Sequence, residues 1–356
     1  MLILCFSVMA LLVGEPKDAF VERFNYASAE EAEMLKTWVY EHRLNTDIVT
    51  ALLVAEGVSA EKQQVFQASM SQLLETLRPK AEGKGDKGAR QVYKYLHKEV
   101  LYTYEPLARF QDLFHMGSAY NCVTSTSLFA VVCTNLKIPV TLYVTPNHVF
   151  AAVTNNKDKV LRVEMTDPKK GFDFKTGIKE SIKYLKAYKL VSEAEFKQKG
   201  ERQVYLEFVN QARKISVPHL LAITYYNQAY GHGLQKRYGM GIRTAAKCLL
   251  IDQDDAEFKN LLKGMVGQYF GAYDLSQKPL ASLREASTTA IRFLKDDPDF
   301  LKKVVDSSVF QVYDVHKDKA PREEVLAYLE DLILQLNDFE PIKRNVMRLH
   351  QDLIRE

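Results

Sequence analysis

The stretch FHMGSAYNCVTSTSLFAVVCTNLKIPVTLYVTPNHVFAAVTNNKDKVLRVEMTDPKKG, residues 114–171, decides the fold that the sequence predicts. An apolar run that follows Cys122 and ends before Pro139 predicts a buried helix over residues 122–136. Three segments rich in β-branched residues and bounded by turn residues predict strands at 140–144, 148–154 and 159–165. A helix followed by a small antiparallel sheet indicates an α+β fold.

Cys122 is the first residue of this predicted helix. A thiol there faces unpaired N–H groups and the positive end of the helix dipole, which both favour the thiolate and lower its pKa. The same N–H groups could bind a developing oxyanion, and the adjacent Tyr120 and Asn121 are candidates for contacts to substrate or oxyanion. The alternative is an inert, buried cysteine that caps a core helix, which is the role predicted for Cys133.

A histidine and two carboxylates complete the pattern around this cysteine. His148 begins the second predicted strand, and Glu164 or Asp167 follows on the third strand or just after it. Cysteine, histidine and acid are the residue types that a thiol nucleophile, its base and a group that orients the base require. Cys122, His148 and one of the two carboxylates are therefore the predicted catalytic residues.

The register of the hairpin favours Glu164 over Asp167. If Thr154 pairs with Asp158, then His148 lies directly opposite Glu164 on the neighbouring strand. A slip of one residue would move Glu164 to the opposite face of the sheet. Asp167 lies beyond the predicted strand end and before a proline, where a turn is the better prediction. Asp167 remains the alternative acid.

Three segments carry a resemblance to a known family. GSAYNCVTSTSLFAVVCTNLKIPV, residues 117–140, resembles the nucleophile helix of the transglutaminase-like superfamily, which has a papain-like fold. PNHVFAAV, residues 146–153, resembles its histidine strand, and LRVEMTDP, residues 161–168, resembles its acid strand, with Glu164 where the family usually has Asp. The resemblance implies a papain-like α+β core, with the nucleophile helix packed on a small antiparallel sheet.

The resemblance also implies two functions. In the first, Cys122 attacks an amide carbonyl of a peptide, a protein or a peptidoglycan stem, and the bond is hydrolysed or its acyl group is transferred. In the second, the fold has no catalytic activity and serves as a module that binds peptides or proteins. Neither function needs a cofactor. No metal site is expected, because the four cysteines lack metal-ligand spacing and Cys122, His148 and Glu164 include no close ligand pair.

The composition indicates an ordinary globular chain. It has 356 residues, of which 47% are hydrophobic and 26% are charged. The net charge of +3 is too small to predict a nucleic-acid partner. The apolar start, MLILCFSVMALLVG, predicts a signal peptide over residues 1–18 and export to the periplasm or the extracellular space. A buried N-terminal helix in a cytoplasmic protein is the alternative, and no other stretch is predicted to cross a membrane.

The second half of the sequence predicts helices and no strand after Gly171. From residue 222 onward it resembles a tetratricopeptide repeat, with small or aromatic residues at the repeat positions and a new helix near Ala256, about 34 residues on. Such helix pairs form concave surfaces that bind peptides, so a protein partner is predicted there. The predicted regions are a helical region at 19–84, the core at 85–180, a tetratricopeptide-like region at 181–286 and further helices at 287–356.

Overall fold

The computed structural model of the protein describes residues 18–115, 117–145, 148–173, 178–187, 191–210, 212–271, 279–316 and 320–355. The signal peptide predicted over residues 1–18 therefore lies outside the described residues, apart from Asp18. The turn at residues 146–147 also lies outside them. No helix in the described part of the chain is both long enough and apolar enough to cross a membrane.

Helices form the N-terminal part of the chain and pack around its core. They are α1 (Ala19–Arg23), α2 (Ala29–Glu41), α3 (Ile48–Ala55), α4 (Ala60–Ala81) and α5 (Gly85–Glu99). Side chains cap the starts of α2 and α3, where Ser28 accepts from the N–H of Glu31 and Asp47 accepts from two N–H groups. Helix α5 packs against both α4 and the central helix described next.

The core joins a central helix to a small sheet, so the predicted α+β fold class is confirmed. A short parallel pair, β1 (Thr103–Tyr104) and β2 (Ala119–Tyr120), leads into the central helix α6 (Cys122–Asn135). The strands that follow are β3 (Thr141–Thr145), β4 (His148–Thr154) and β5 (Val160–Val163). Helix α6 packs against β4, and its apolar side chains from Val123 to Cys133 are buried.

The predicted register of the hairpin is wrong by two residues. The last pair of β4 and β5 is Thr154 with Val160, whereas the sequence predicts Thr154 with Asp158. The loop is longer because the Asn155 side-chain oxygen accepts two N–H groups within it, and Asp158 adopts a left-handed φ of 58°. A shift by an even number keeps every side chain on its predicted face. Glu164 therefore remains on the same face as His148, although this register places it opposite Phe150, two residues further along β4.

A fourth strand, β6 (Arg213–Ile215), contradicts the prediction that no strand follows Gly171. It pairs antiparallel with β3, which places Ile215 opposite Leu142, and the sheet order is β5-β4-β3-β6. The strand is short and two of its three residues are charged, so it carries no alternating apolar pattern. Its pairing partner lies far away in the sequence, and contact with that partner decides its structure.

Helices account for the rest of the described chain, and the predicted helical C-terminal half is confirmed. Before β6 these are α7 (Ile178–Ala187), α8 (Glu193–Lys199) and α9 (Glu201–Asn210). After it they are α10 (Val217–Leu234), α11 (Tyr238–Ile251), α12 (Ala256–Gly271), α13 (Leu280–Phe293), α14 (Pro298–Gln311), α15 (Arg322–Gln335) and α16 (Glu340–Arg355). Helix α12 begins at Ala256 as predicted, and α10, α11 and α12 pack against one another.

A buried ion pair ties the N-terminal helices to the C-terminal half. The Nζ atom of Lys247 on α11 lies 2.7 and 2.8 Å from the two carboxylate oxygens of Glu31 on α2. The side chains are 7% and 1% exposed. Tyr225 on α10 donates to the same carboxylate at 2.8 Å, and the N–H of Ala27 donates at 2.6 Å. Helices α2, α10 and α11 therefore meet at the buried Glu31 carboxylate. Removal of one of its partners would destabilise the fold.

Candidate active site

The N-terminus of α6 is held in place by Asn121. The Asn121 side-chain oxygen accepts from the N–H groups of Val123 and Thr124 at 3.0 and 2.9 Å, and its own N–H donates to the Thr124 hydroxyl. This reciprocal capping box fixes where the helix begins. Cys122 is therefore the first helical residue, and it is partly exposed. Within the described chain its N–H has no hydrogen-bond acceptor.

Both predicted oxyanion candidates are buried, and the Asn121 side chain already donates to other groups. The two amide N–H bonds of Asn121 point to the backbone carbonyls of Pro106 and Ala108, at 3.0 and 2.9 Å. The Tyr120 ring is buried and lies edge-on to the ring of Tyr104. Asn121 instead links the loop at residues 105–109 to the start of α6. These hydrogen bonds hold Cys122 in position at the start of the helix.

Changing Asn121 to Ala is expected to destabilise the fold by about 2 kcal/mol, because the helix loses its cap and two carbonyls lose their donor. The measurement is equilibrium urea unfolding of the variant and the parent chain. Asn135, the last residue of α6, is exposed and serves as the matched control. Changing it to Ala should alter the free energy of unfolding by less than about 0.5 kcal/mol. Equal effects of the two changes would contradict the role given to Asn121.

His148 and Glu164 form a fully buried pair beside α6. Nε2 of His148 lies 2.5 Å from Oε2 of Glu164, and the two side chains are 1% and 0% exposed. Burial alone would lower the pKa of His148 and raise that of Glu164. Their mutual attraction, together with Cys122 beside His148 and Arg162 beside Glu164, outweighs burial, so the pKa of His148 rises to about 9 and that of Glu164 falls to about 2. Both groups are therefore charged at neutral pH.

The thiol of Cys122 completes the arrangement. It interacts with the His148 ring and with the backbone of Val149. Burial raises the pKa of the thiol, but the hydrogen bond and the positive charge of His148 outweigh it, so that the pKa lies below its ordinary value. The contrast is Cys133, whose pKa is raised by burial in the apolar part of α6. The sequence-predicted Cys122, His148 and Glu164 are thus brought together.

Arg162 is a member of this cluster that sequence reasoning missed. Its Nε donates a hydrogen bond to Oε1 of Glu164, the oxygen that does not face His148. Its guanidinium lies over the Phe150 ring, with Cζ 3.8 Å from the ring centroid. The available signal was strand alternation, because Arg162 precedes Glu164 by two residues and so shares its face.

The alternative acid, Asp167, lies in a turn and does not contact His148. Its carboxylate accepts from the N–H groups of Lys169 and Lys170, both at 3.0 Å. Its backbone carbonyl accepts from the Tyr93 hydroxyl. This is the geometry of a side chain that stabilises a turn. Of the two predicted carboxylates, the structure places Glu164 against the histidine.

Comparisons with protein-family models, with curated proteins and with solved structures find no match for this chain.

A cluster outside the Cys122 site has the spacing of a metal site. Within the described residues, ligand atoms of His219, Asp252 and Asp255 lie within 4.8 Å of one another. However, Nη2 of Arg213 lies 3.0 Å from Nε2 of His219 and also donates to Asp255. A guanidinium therefore supplies the positive charge that this cluster attracts, and a metal ion would have to displace it.

A cavity of about 1300 Å³ lies elsewhere in the molecule. Its lining comes from the N-terminal residues 18–25 and from helices α13 and α15, and includes Arg284, Arg292 and Asp331. Cys122 and His148 do not line it. These arginines are already paired with carboxylates, Arg284 with Asp331 and Arg292 with Asp18. The cavity is thus separate from the Cys122 site.

Proposed function

We propose that this protein is a transglutaminase-like cysteine enzyme that cleaves or transfers the acyl group of an amide bond. One observation carries the proposal: a buried His148–Glu164 ion pair lies beside the thiol of Cys122 at the start of α6. A structural histidine needs neither a carboxylate partner at 2.5 Å nor a cysteine on its other side. The combination matches the needs of nucleophilic catalysis by a thiolate.

In the first half of the reaction, the Cys122 sulfur attacks the amide carbonyl carbon and forms a tetrahedral adduct. The oxyanion accepts a hydrogen bond from the N–H of Cys122, at the positive end of the α6 dipole. Because Nε2 of His148 is held by Glu164, Nδ1 is the nitrogen that exchanges a proton with the reacting groups. Nδ1 donates its proton to the leaving amine as the C–N bond breaks, and a thioester of Cys122 remains.

In the second half, a water molecule or an amine attacks the thioester carbon. Nδ1 of His148 takes the proton of this nucleophile, and the bond between carbon and sulfur breaks to restore the thiolate. Glu164 keeps the imidazole in one orientation and balances its positive charge throughout. Water as the acceptor gives a peptidase or amidase, and an amine gives an acyl transferase.

The substrate proposed for this site is a peptide, a protein or a peptidoglycan stem. The tetratricopeptide-like helices α10, α11 and α12 are the proposed site for a protein partner. Residues at the small or aromatic repeat positions are buried, which is consistent with such a repeat: Ala222, Tyr225, Ala229, Ala245 and Cys248.

The test uses p-nitrophenyl acetate, an activated ester that needs no knowledge of the natural substrate. The chain should release one equivalent of p-nitrophenol in a rapid burst, followed by slower turnover. Mass spectrometry after an acid quench should find the acetyl group on Cys122. Cys133 and Cys248 should stay unmodified, because both are buried and their pKa values are raised.

Changing Cys122 to Ala is expected to abolish the burst, and changing Cys133 to Ala should leave it intact. The second variant is the matched control, because it removes a thiol from the same helix without touching the site. A chain whose Cys122 is acetylated no faster than a cysteine in a short unfolded peptide would contradict the proposal. That result would favour a protein that keeps this arrangement only to bind peptides.

A further inference from the structure

We infer that Arg162 is a positioning residue of this site, which holds the Glu164 carboxylate in place against His148. The inference rests on the proposed function for its catalytic meaning, whereas the position of the carboxylate does not depend on catalysis. Arg162 contacts neither the thiol nor a reacting atom in the proposed chemistry. It acts through Glu164, and Glu164 acts through His148.

The Glu164 carboxylate is shared between two cations. Oε2 faces Nε2 of His148 at 2.5 Å, and Oε1 accepts from Nε of Arg162. The Arg162 side chain is 11% exposed, while that of Glu164 is fully buried. Each oxygen therefore has its own partner, and the carboxylate cannot rotate without breaking one of two charge-assisted hydrogen bonds.

A stack of aromatic rings fixes the guanidinium in turn. Arg162 lies over Phe150, and Phe150 stacks on Tyr143 with centroids 5.2 Å apart and planes 9° from parallel. Tyr143 pairs with Phe150 across β3 and β4, and Arg162 pairs with Ala152 across β4 and β5. These side chains consequently share the sheet face that also carries His148. A planar guanidinium suits this stack better than an ammonium does.

The charges explain why a second cation is needed. A buried carboxylate is costly unless charged partners and hydrogen bonds compensate for the lost water. Among the described residues, the charged groups that face Glu164 include His148 from β4 and Arg162 from β5, with Cys122 of α6 on the far side of the imidazole. With Cys122 as thiolate and His148 as imidazolium, the four charges sum to zero. Without Arg162 the cluster would carry one excess negative charge in a buried site.

Loss of Arg162 should therefore affect Glu164 first, then His148 and finally Cys122. Burial would then raise the pKa of Glu164, and the carboxylate would also be free to turn away from the ring. His148 would hold its proton less tightly, and Cys122 would lose the imidazolium that favours the thiolate. The change is a shift in the protonation of His148 and need not alter the fold.

The experiment measures the titration of the His148 imidazole by NMR in the full chain. The His148 signal is assigned by its loss in a His148→Asn variant. Changing Arg162 to Met, which still covers Phe150, should lower the titration midpoint by at least one pH unit, a change of about tenfold in the proton affinity. Changing Arg162 to Lys keeps the charge without the flat stack, and should restore part of that shift.

An unchanged midpoint in the Met variant would overturn the inference. If the Met variant does not fold, the Lys variant decides alone, since an unchanged midpoint there would mean that the geometry of the guanidinium is unimportant. The outcome is distinct from that of the proposed function. A lowered midpoint together with no burst from the parent chain would keep Arg162 as a positioning residue and reject the enzyme.

Discussion

Changing Glu164 to Gln is expected to lower ester hydrolysis by Cys122 by about two to three orders of magnitude while the chain still folds. The corresponding change in a serine protease costs about four orders of magnitude, because the histidine is held in the wrong tautomer. A thiol enzyme should lose less, since the thiol and imidazole can already exist as an ion pair.

In the Glu164→Gln variant, Arg162 determines how the side-chain amide at position 164 is oriented. Its Nε is a donor, so it selects the amide oxygen, and the amide N–H bonds are left facing Nε2 of His148. Nε2 must then be an acceptor, which places the proton on Nδ1. In that state the ring cannot take a proton from the thiol, and no carboxylate balances an imidazolium. Hydrolysis rates of the parent and variant chains with p-nitrophenyl acetate measure the loss, and circular dichroism checks the fold.

The matched control is Asp167→Asn, which removes the other predicted carboxylate. The Asp167 side chain accepts two backbone N–H groups, and an asparagine oxygen can accept the same two. The rate should therefore change by less than about twofold, which corresponds to less than half a kcal/mol. A large loss in the Asp167 variant, with little change in the Glu164 variant, would contradict the assignment of Glu164 as the acid.

Changing Lys247 to Met should have the largest effect on stability, a loss of about 3–5 kcal/mol. The change leaves the Glu31 carboxylate buried at 1% exposure without its cation. The hydroxyl of Tyr225 and the N–H of Ala27 remain, but neutral donors do not replace the lost charge. The measurement is the free energy of unfolding from urea titration, with tryptophan fluorescence as the signal.

The same substitution at Lys302 is the control. Lys302 pairs with Asp306 at 2.6 Å on α14, but the two side chains are 54% and 41% exposed. Exposed pairs of this kind contribute little, so the loss should stay below about 0.5 kcal/mol. Two variants of equal stability would show that the Glu31–Lys247 pair is not the tie between α2 and α11 that its burial implies.

Local patterns in the sequence were sufficient to predict the helix and the strand that carry Cys122 and His148. Helix α6 begins at Cys122 and β4 runs from His148 to Thr154, both as predicted. The register of β4 and β5 was harder to predict, because the Asn155 side chain stabilises a hairpin loop that is two residues longer than predicted. Glu164 nevertheless stayed on the predicted face, since strand alternation tolerates an even shift.

Contacts between distant segments decided what the sequence could not indicate. Strand β6 exists because Ile215 pairs beside Leu142, and its charged residues show no strand pattern. The sequence makes the Asn121 amide a candidate for oxyanion binding, but both of its N–H bonds donate to the carbonyls of Pro106 and Ala108. Arg162 is similar, because the Phe150 and Tyr143 rings stacked beneath its guanidinium come from two other strands. The periodicity of apolar residues in the sequence does not identify contacts of this kind between distant segments.

The most direct test of the central claim is the ionisation of the Cys122 thiol. Ultraviolet absorbance of the thiolate is recorded against pH for the folded chain, and the same titration of a Cys122→Ser variant is subtracted. We expect a midpoint well below the value of about 8.5 for an unperturbed cysteine, because the imidazolium of His148 and the α6 dipole favour the thiolate. A midpoint at or above that value would contradict the claim that Cys122, His148 and Glu164 form an activated nucleophile.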